Sequence, residues 1–361
     1  MKTILILVNH EIVIYNFRRE LVERLLSEGY EVVISSPGGS KIDQLVALGC
    51  THFEVDIDRH GKNIIEEIKL IKHYFNLMRK IKPDVVLSYT IKPNLYGGLV
   101  TRLLNIPLIA NITGLGNAIE TQGVLQKIVI LLYKLAFAKV SKVYFQNNSN
   151  MAFFKENKIV TDKHELLPGS GVNLNHFRVL PYPDDPIIDI IYISRIMKSK
   201  GIDEFLHTAR EVKKTKKNIN FHIYGFVEGD YELKLKDYEK KEIVMYHGMI
   251  SDVREALTFA DCVVLPSYHE GMSNVLLEAA ASGRPILASN IPGCRETFDE
   301  GISGLGFESK NAQSLIDATF NFLALSQETR KRMGLAGRLK MEKEFSREII
   351  VDKYMSEIYK L

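Results

Sequence analysis

A chain of 361 residues, 46% hydrophobic and 25% charged, has the length of two domains and an ordinary globular composition, which excludes a disordered protein and leaves material for two cores. The net charge of +3 hides an asymmetry: residues 1–170 carry 21 Lys and Arg against 16 Asp and Glu, a balance of +5, and the remainder stands at −2. Three cysteines, Cys50, Cys262 and Cys294, are an odd number without metal-ligand spacing, so neither a disulfide framework nor a zinc site is expected and a reducing cytoplasm fits.

The first eight residues carry one lysine and a short apolar run with no small-residue cleavage site, which reads as a buried strand rather than a signal peptide. Short β-branched runs at 3–8, 31–35, 85–88 and 108–112 alternate with longer helical patterns, as in βαβ units on a parallel sheet. Within the first half, Asp56-Ile57-Asp58 has the form of a metal-binding Asp-x-Asp but reads as a solvated strand end. Between Lys62 and Lys82 a helix is expected whose apolar residues Ile64, Ile65, Ile68, Ile71, Phe75 and Met78 pack on the sheet. Its basic residues, Lys69, Lys72 and Arg79 among them, would face an anionic membrane. The longest apolar stretch, 124–145, is interrupted by Lys127, Lys134, Lys139 and Lys142 and cannot be a transmembrane span.

Proline density between Pro168 and Pro186 marks a boundary. After it the strand pattern recurs at 187–193, 221–224, 243–246, 262–265 and 285–288. The expected fold is therefore α/β: two doubly wound, Rossmann-like domains facing a cleft. They span 1–170 and 187–344, joined by a linker at 171–186 and followed by a helix at 345–361. Ligands of such sheets bind at the carboxyl ends of strands.

Two motifs occupy strand-to-helix turns. In Ile193-Ser194-Arg195-Ile196-Met197-Lys198-Ser199-Lys200-Gly201, Arg195 and Lys200 are candidates for a diphosphate, since a planar fork and a point charge would both neutralise a leaving group; Lys198 reads as solvated. In Glu270-Gly271-Met272-Ser273-Asn274-Val275-Leu276-Leu277-Glu278, a helix begins between two acids. Ser273 or Asn274 is expected to cap it, and its first-turn N–H groups with the helix dipole make an anion site. Carboxylates bind sugar hydroxyls, so the pair describes a nucleotide diphosphate sugar, with Glu278 toward ribose and Glu270 toward the hexose; Gly271 and Met272 complete the donor loop. Gly225 and Gly248 end neighbouring strands beside this site, and Pro292-Gly293-Cys294 is a turn behind it.

The Arg and Lys-Gly pair followed by Glu-x7-Glu resembles glycosyltransferase family 4, of the GT-B fold, residue by residue at Arg195, Lys200, Glu270 and Glu278. A second likeness, at Ile91-Lys92-Pro93-Asn94-Leu95-Tyr96-Gly97-Gly98 and Asn111-Ile112-Thr113-Gly114-Leu115-Gly116, is similar to bacterial members that build capsule, O-antigen or lipid-linked glycans. The resemblance implies a retaining glycosyltransferase at the inner face of the cell membrane, moving a hexose or N-acetylhexosamine from a nucleotide diphosphate sugar, expected to be UDP-linked, to a lipid-linked glycan. It implies no metal or other cofactor and no nucleic acid partner. It further implies that the last helix crosses back to the first domain and that the turns at Gly225 and Gly248 contact base and phosphates. On the acceptor side Asn9, His10 and Asn16 face the cleft, and Asn111, Thr113 and Gly114 stand where many relatives carry a His-Gly pair. The absent histidine leaves the catalytic base open. Two rivals are a UDP-N-acetylglucosamine 2-epimerase and a non-catalytic subunit that binds the sugar nucleotide.

Overall fold

A computed structural model describes residues 1–57, 63–115, 123–160 and 162–361. Asp58, Lys62 and Gly116 lie outside them. The chain forms two compact units, residues 1–170 with 347–361, and residues 171–346.

The first unit is a parallel seven-stranded sheet of β1 (Thr3–Leu7), β2 (Glu31–Ser36), β3 (Thr51–Glu54), β4 (Val85–Tyr89), β5 (Leu108–Ile112), β6 (Lys142–Phe145) and β7 (His164–Leu166), in the order β3-β2-β1-β4-β5-β6-β7. Its central strands are buried on both faces, as continuous runs such as Thr-Ile-Leu-Ile-Leu require. Alternation divides them: Leu5 and Leu7 pack under the helices Ile64–Ile81 and Val124–Ala136, while Ile4 and Ile6 face the helix Arg19–Ser27. The helix Arg347–Ile358 joins that second face. Ile350, Tyr354 and Ile358 are buried there, each stabilising by about 1.5–3 kcal/mol. Arg347 anchors its start by donating to Glu20 at 2.8 Å and to the Asn16 carbonyl at 3.0 Å.

The second unit is a parallel six-stranded sheet of β8 (Ile188–Ile193), β9 (Ile219–Tyr224), β10 (Met245–Tyr246), β11 (Cys262–Leu265), β12 (Ile286–Ser289) and β13 (Gly304–Phe307), ordered β10-β9-β8-β11-β12-β13. The segment 171–186, expected to be a linker, belongs to this unit. Its prolines stop regular structure without stopping packing: Val172 and Phe177 are buried in the second unit's core, and Leu180 N–H donates to the Ser282 carbonyl at 3.1 Å. The fully buried Arg284 holds the segment down, donating to the Pro181 carbonyl at 2.7 Å and to Leu257 and Thr258 at the end of the helix Val253–Phe259. Those carbonyls would otherwise be buried without partners.

Candidate active site

In the second sheet the chain runs outward from β8 through β9 to β10 and then returns to β11 on the other side of β8. The switch point therefore falls between β8 and β11, where the loops after adjacent strands diverge and leave a crevice. The Arg195–Lys200 loop follows β8 and the Glu270 loop follows β11, so topology alone puts both motifs there.

Lys200 Nζ donates to Glu270 Oε1 at 2.6 Å, and Ser267 Oγ donates to the same oxygen at 2.7 Å. Backbone contacts hold the two loops together. Tyr268 N–H donates to the Ser199 carbonyl at 2.9 Å, and the buried Tyr192 hydroxyl reaches the carbonyl oxygens of Arg195 at 3.0 Å and Lys200 at 3.2 Å. Burial pushes the Tyr192 phenol well above its usual range, so it remains a donor at every ordinary pH. Gly201 is left-handed at φ 70°, and a Cβ there would lie 2.0 Å from the Pro266 carbonyl oxygen; only glycine lets the loops approach this closely. Arg195 is exposed and donates from Nη1 to Glu228 at 2.9 Å, while Lys198 is exposed as expected.

Glu270, Gly271, Met272 and Ser273 lead into the helix Asn274–Ala281, which carries Glu278 one turn in. Ser273 occupies the cap position, is buried, and makes no side-chain capping hydrogen bond, contrary to the expectation that Ser273 or Asn274 caps the helix. Its N–H donates to the Gly293 carbonyl at 2.8 Å, which fixes the residue against the turn behind it. That turn sits directly under the acidic loop, since a Cβ on Gly293 would lie 2.7 Å from the carbonyl oxygens of Glu270 and Gly271. Ser273 thus contributes no side-chain oxygen to the positive end of the helix, an end that attracts anions. Leu276, Leu277, Ala279 and Ala280 are fully buried around the half-buried Glu278.

Gly225 and Gly248 are joined by a backbone hydrogen bond of 2.8 Å from the Gly225 N–H to the Gly248 carbonyl. Gly225, at φ 142°, abuts the Arg195 loop so tightly that a Cβ would lie 1.8 Å from the Ser194 carbonyl oxygen. Nearby, a cavity of about 360 Å³ is lined by Tyr224, His247, Met249, Ile250 and Phe259 among others. Tyr224 stacks on His247 with ring centres 4.5 Å apart, and His222 lies on the same imidazole at 5.2 Å. Burial, with help from His222, holds the His247 imidazole below its ordinary pKa of 6.5. Ser267, Tyr192 and His222 were not singled out in the sequence; their only signal was position, next to a strand end or a motif residue.

In the first unit Asn9 and His10 follow β1, and Thr113 and Gly114 follow β5, all at the carboxyl edge of the sheet. They are half-buried, and a side chain at Gly114 would meet nothing within 4 Å among the described residues. His10 caps the helix Glu11–Phe17, its Nδ1 accepting from the Ile12 N–H at 3.2 Å, and Asn16 is exposed near the end of that helix. Asn111 must be corrected: it is fully buried, donates to the Tyr354 hydroxyl at 2.8 Å and accepts from Gln146 at 3.4 Å, so it anchors the last helix and offers nothing to an acceptor. Asn94 of the second likeness is also internal, bridging the Ser88 hydroxyl and the Asn111 carbonyl. Asp56 is exposed, and among the described residues no cluster of three metal-ligating side chains occurs.

Residues 174–340 match the family Glycosyl transferases group 1, and residues 3–147 match Glycosyl transferase 4-like. The chain is 26% identical over 362 residues to the N,N'-diacetylbacillosaminyl-diphospho-undecaprenol alpha-1,3-N-acetylgalactosaminyltransferase of Campylobacter jejuni, covering 95% of this chain and 94% of that protein. It is 25% identical to the UDP-Gal:alpha-D-GlcNAc-diphosphoundecaprenol alpha-1,3-galactosyltransferase of Escherichia coli, covering 71% and 70%. The fold is that of Anabaena HepE in complex with UDP and glucose, with a TM-score of 0.82 over the full length of both chains at 13% identity. Both matched families are glycosyl transferases, which decides for transfer over the epimerase and binding-subunit readings. The chain belongs to the glycosyl transferases, a 4-like N-terminal unit followed by a group 1 C-terminal unit, and is a glycosyltransferase of the GT-B fold.

Proposed function

We propose that the enzyme moves a hexose or N-acetylhexosamine from a UDP-linked donor to a hydroxyl of a lipid-linked or polysaccharide glycan, with retention of configuration and without a bound metal. The observation that carries this is the Lys200–Glu270 pair at the switch point, beside the start of the helix Asn274–Ala281, whose cap residue Ser273 makes no side-chain capping hydrogen bond. It sets a cation for phosphate next to a carboxylate for sugar hydroxyls. Lys200 has three donors and spends one on Glu270, leaving valence for a diphosphate oxygen. Arg195 supplies a second cation from the loop edge, and the amides of the 274–281 helix a third source of positive potential. Glu270 takes hexose hydroxyls, Glu278 the ribose, and the cavity beside Tyr224 and His247 the planar base.

In this reading the bond from the donor's anomeric carbon to the phosphate oxygen breaks as a bond to the acceptor oxygen forms on the same face. The acceptor proton passes to the departing phosphate oxygen, so no protein base is needed, in keeping with the absence of a histidine at Asn111-Ile112-Thr113. The relatives from C. jejuni and E. coli, whose names place sugars on diphospho-undecaprenol acceptors, support a lipid-linked acceptor; HepE, bound to UDP and glucose, supports a UDP donor. The +5 balance of residues 1–170 supports peripheral attraction to the anionic inner face of the cell membrane, where such an acceptor would reside. A panel of nucleotide sugars, scored by nucleotide release and by product mass on an undecaprenyl-diphosphate glycan, tests the assignment. Release from no UDP-sugar would overturn it.

A further inference from the structure

The helix Val124–Ala136 is apolar on two opposite sides. Val129, Tyr133 and Ala136 are buried against the sheet, while Val124, Ile128, Leu131 and Leu135 are 75%, 50%, 57% and 40% exposed. At about 100° per residue, these four, spaced four, three and four apart, fall within roughly 60° of one another and opposite the buried side. They form a straight apolar stripe facing solvent, about 17 Å long. A second apolar edge lies on the same face of the sheet, at the start of the helix Ile64–Ile81, where Ile64, Ile65 and Ile68 are each more than half exposed. The sequence pattern had assigned these isoleucines to packing on the sheet. Soluble surfaces scatter such residues singly, whereas a contiguous patch marks something that covers it.

We infer that this stripe is a membrane-insertion surface, seated in the interface of a bilayer with anionic headgroups. Charge chooses this occupant over a second copy of the chain. Between Gly98 and Lys142 the sequence holds five basic residues, Arg102, Lys127, Lys134, Lys139 and Lys142, against one acidic residue, Glu120. Lys127 and Lys134 are exposed and flank the stripe along one side. Two copies meeting on this face would bring like charges together, while an anionic headgroup layer pairs with them as the aliphatic side chains enter the acyl boundary. At 13 residues the helix is too short to cross a bilayer, and no helix of the described residues is long and apolar enough to do so, so it lies in the interface plane. Lys142 is paired with Glu165 at 2.8 Å, as Lys69 of the 62–82 segment is with Glu66, so Lys127 and Lys134 beside the stripe are the residues offered to headgroups.

The inference deepens the proposed attraction to the membrane, and its test is independent of transfer. The chain contains no tryptophan, so Leu131→Trp places a single reporter on the stripe. Mixed with vesicles of three parts phosphatidylcholine to one part phosphatidylglycerol, its emission should shift to the blue and be quenched by brominated acyl chains. Ile128→Glu with Leu131→Glu should lower vesicle partition at least tenfold, by about the ratio that two lost apolar anchors imply. Leu233→Glu, at a still more exposed leucine in the second unit, should partition like the parent. UDP binding, followed by thermal shift, should be unchanged in the double variant, so loss of membrane binding and failure of the donor site are read separately. An unshifted Leu131→Trp spectrum on bound protein, or a double variant that partitions like the parent, would overturn the assignment. So would a parent dimer converted to monomer by the double variant with vesicle binding intact, which would make the stripe a self-association surface.

Discussion

Lys200 Nζ stands 2.6 Å from Glu270 Oε1, two side chains each about 15% exposed and separated by 70 positions in the chain. The pair makes each residue a condition of the other's geometry: without the carboxylate the ammonium loses this anchor, and without the ammonium the carboxylate loses a charge-assisted donor while still accepting from Ser267. In the proposed reading, a donor diphosphate arriving at Lys200 arrives beside an oriented sugar-binding acid.

Glu270→Ala and Lys200→Ala should each lower kcat/KM for transfer by roughly ten- to a hundredfold, the loss of one charge-assisted hydrogen bond of about 1.5–3 kcal/mol. The double variant should lose less than the product of the two, because the singles already break the shared contact. Steady-state kinetics on folded protein checks this, and near-parental turnover in Glu270→Ala would sink the sugar-binding role.

Glycine substitutions should rank by what the added Cβ meets. Gly201→Ala and Gly225→Ala place it 2.0 Å and 1.8 Å from a backbone carbonyl oxygen, whereas Gly248→Ala, at φ 72°, meets nothing within 4 Å. The last should cost only the left-handed penalty of about 1–2 kcal/mol, the first two more. Denaturant unfolding of the purified variants gives the order directly; equal costs at all three positions would mean the loops relax freely.

Asn111→Ala should destabilise the first unit by about 1–3 kcal/mol, since it strands the buried Tyr354 hydroxyl and Gln146 amide. Acceptor KM should hardly change. The opposite pattern, unaltered stability with a raised KM, would restore the acceptor-side role.

Activity should persist in excess chelator, because in the proposed reading Lys200, Arg195 and the helix end supply the positive charge that a metal would otherwise bring to the leaving diphosphate. Loss of turnover with EDTA, recovered by manganese or magnesium, would show that the site uses a metal after all.

The His247 imidazole, held below 6.5 by burial and by His222, sets a pH dependence whose sign is fixed. A base with a depressed folded-state pKa binds its proton more weakly folded than unfolded. Its contribution to stability is complete above pH 6.5 and is lost as pH falls through the lower folded value. An NMR titration of the ring should give a midpoint below 6.5, moving upward in His222→Asn. A midpoint at or above 6.5 in the parent would mean the stack tolerates the imidazolium.

Strands β5 and β11 lie at the residues the alternation of apolar runs predicts, and the other central strands within a residue or two, because a strand buried on both faces needs an unbroken apolar stretch. Four edge and near-edge strands escaped that pattern. Thr51–Glu54, Lys142–Phe145, His164–Leu166 and Gly304–Phe307 are short and mixed in polarity, and their pairing is decided by the neighbouring strand's backbone rather than by their own side chains. The motif acids and bases were legible because strand, loop and helix follow one another within ten residues. Asn111 was misread because the same local pattern fits a rim residue and a buried one.

What the sequence by itself determined was therefore local: the succession of elements, the two βαβ halves, and the four charged residues that mark the donor loops. Tertiary structure decided which of those residues meet. The switch point brings Lys200 to Glu270, while Arg195 turns instead to Glu228. It also decided which side of the apolar helix Val124–Ala136 faces the sheet. Hydrophobicity on both sides of that helix carries no direction, and only the sheet beneath Val129 and Tyr133 leaves Ile128 and Leu131 to water or lipid.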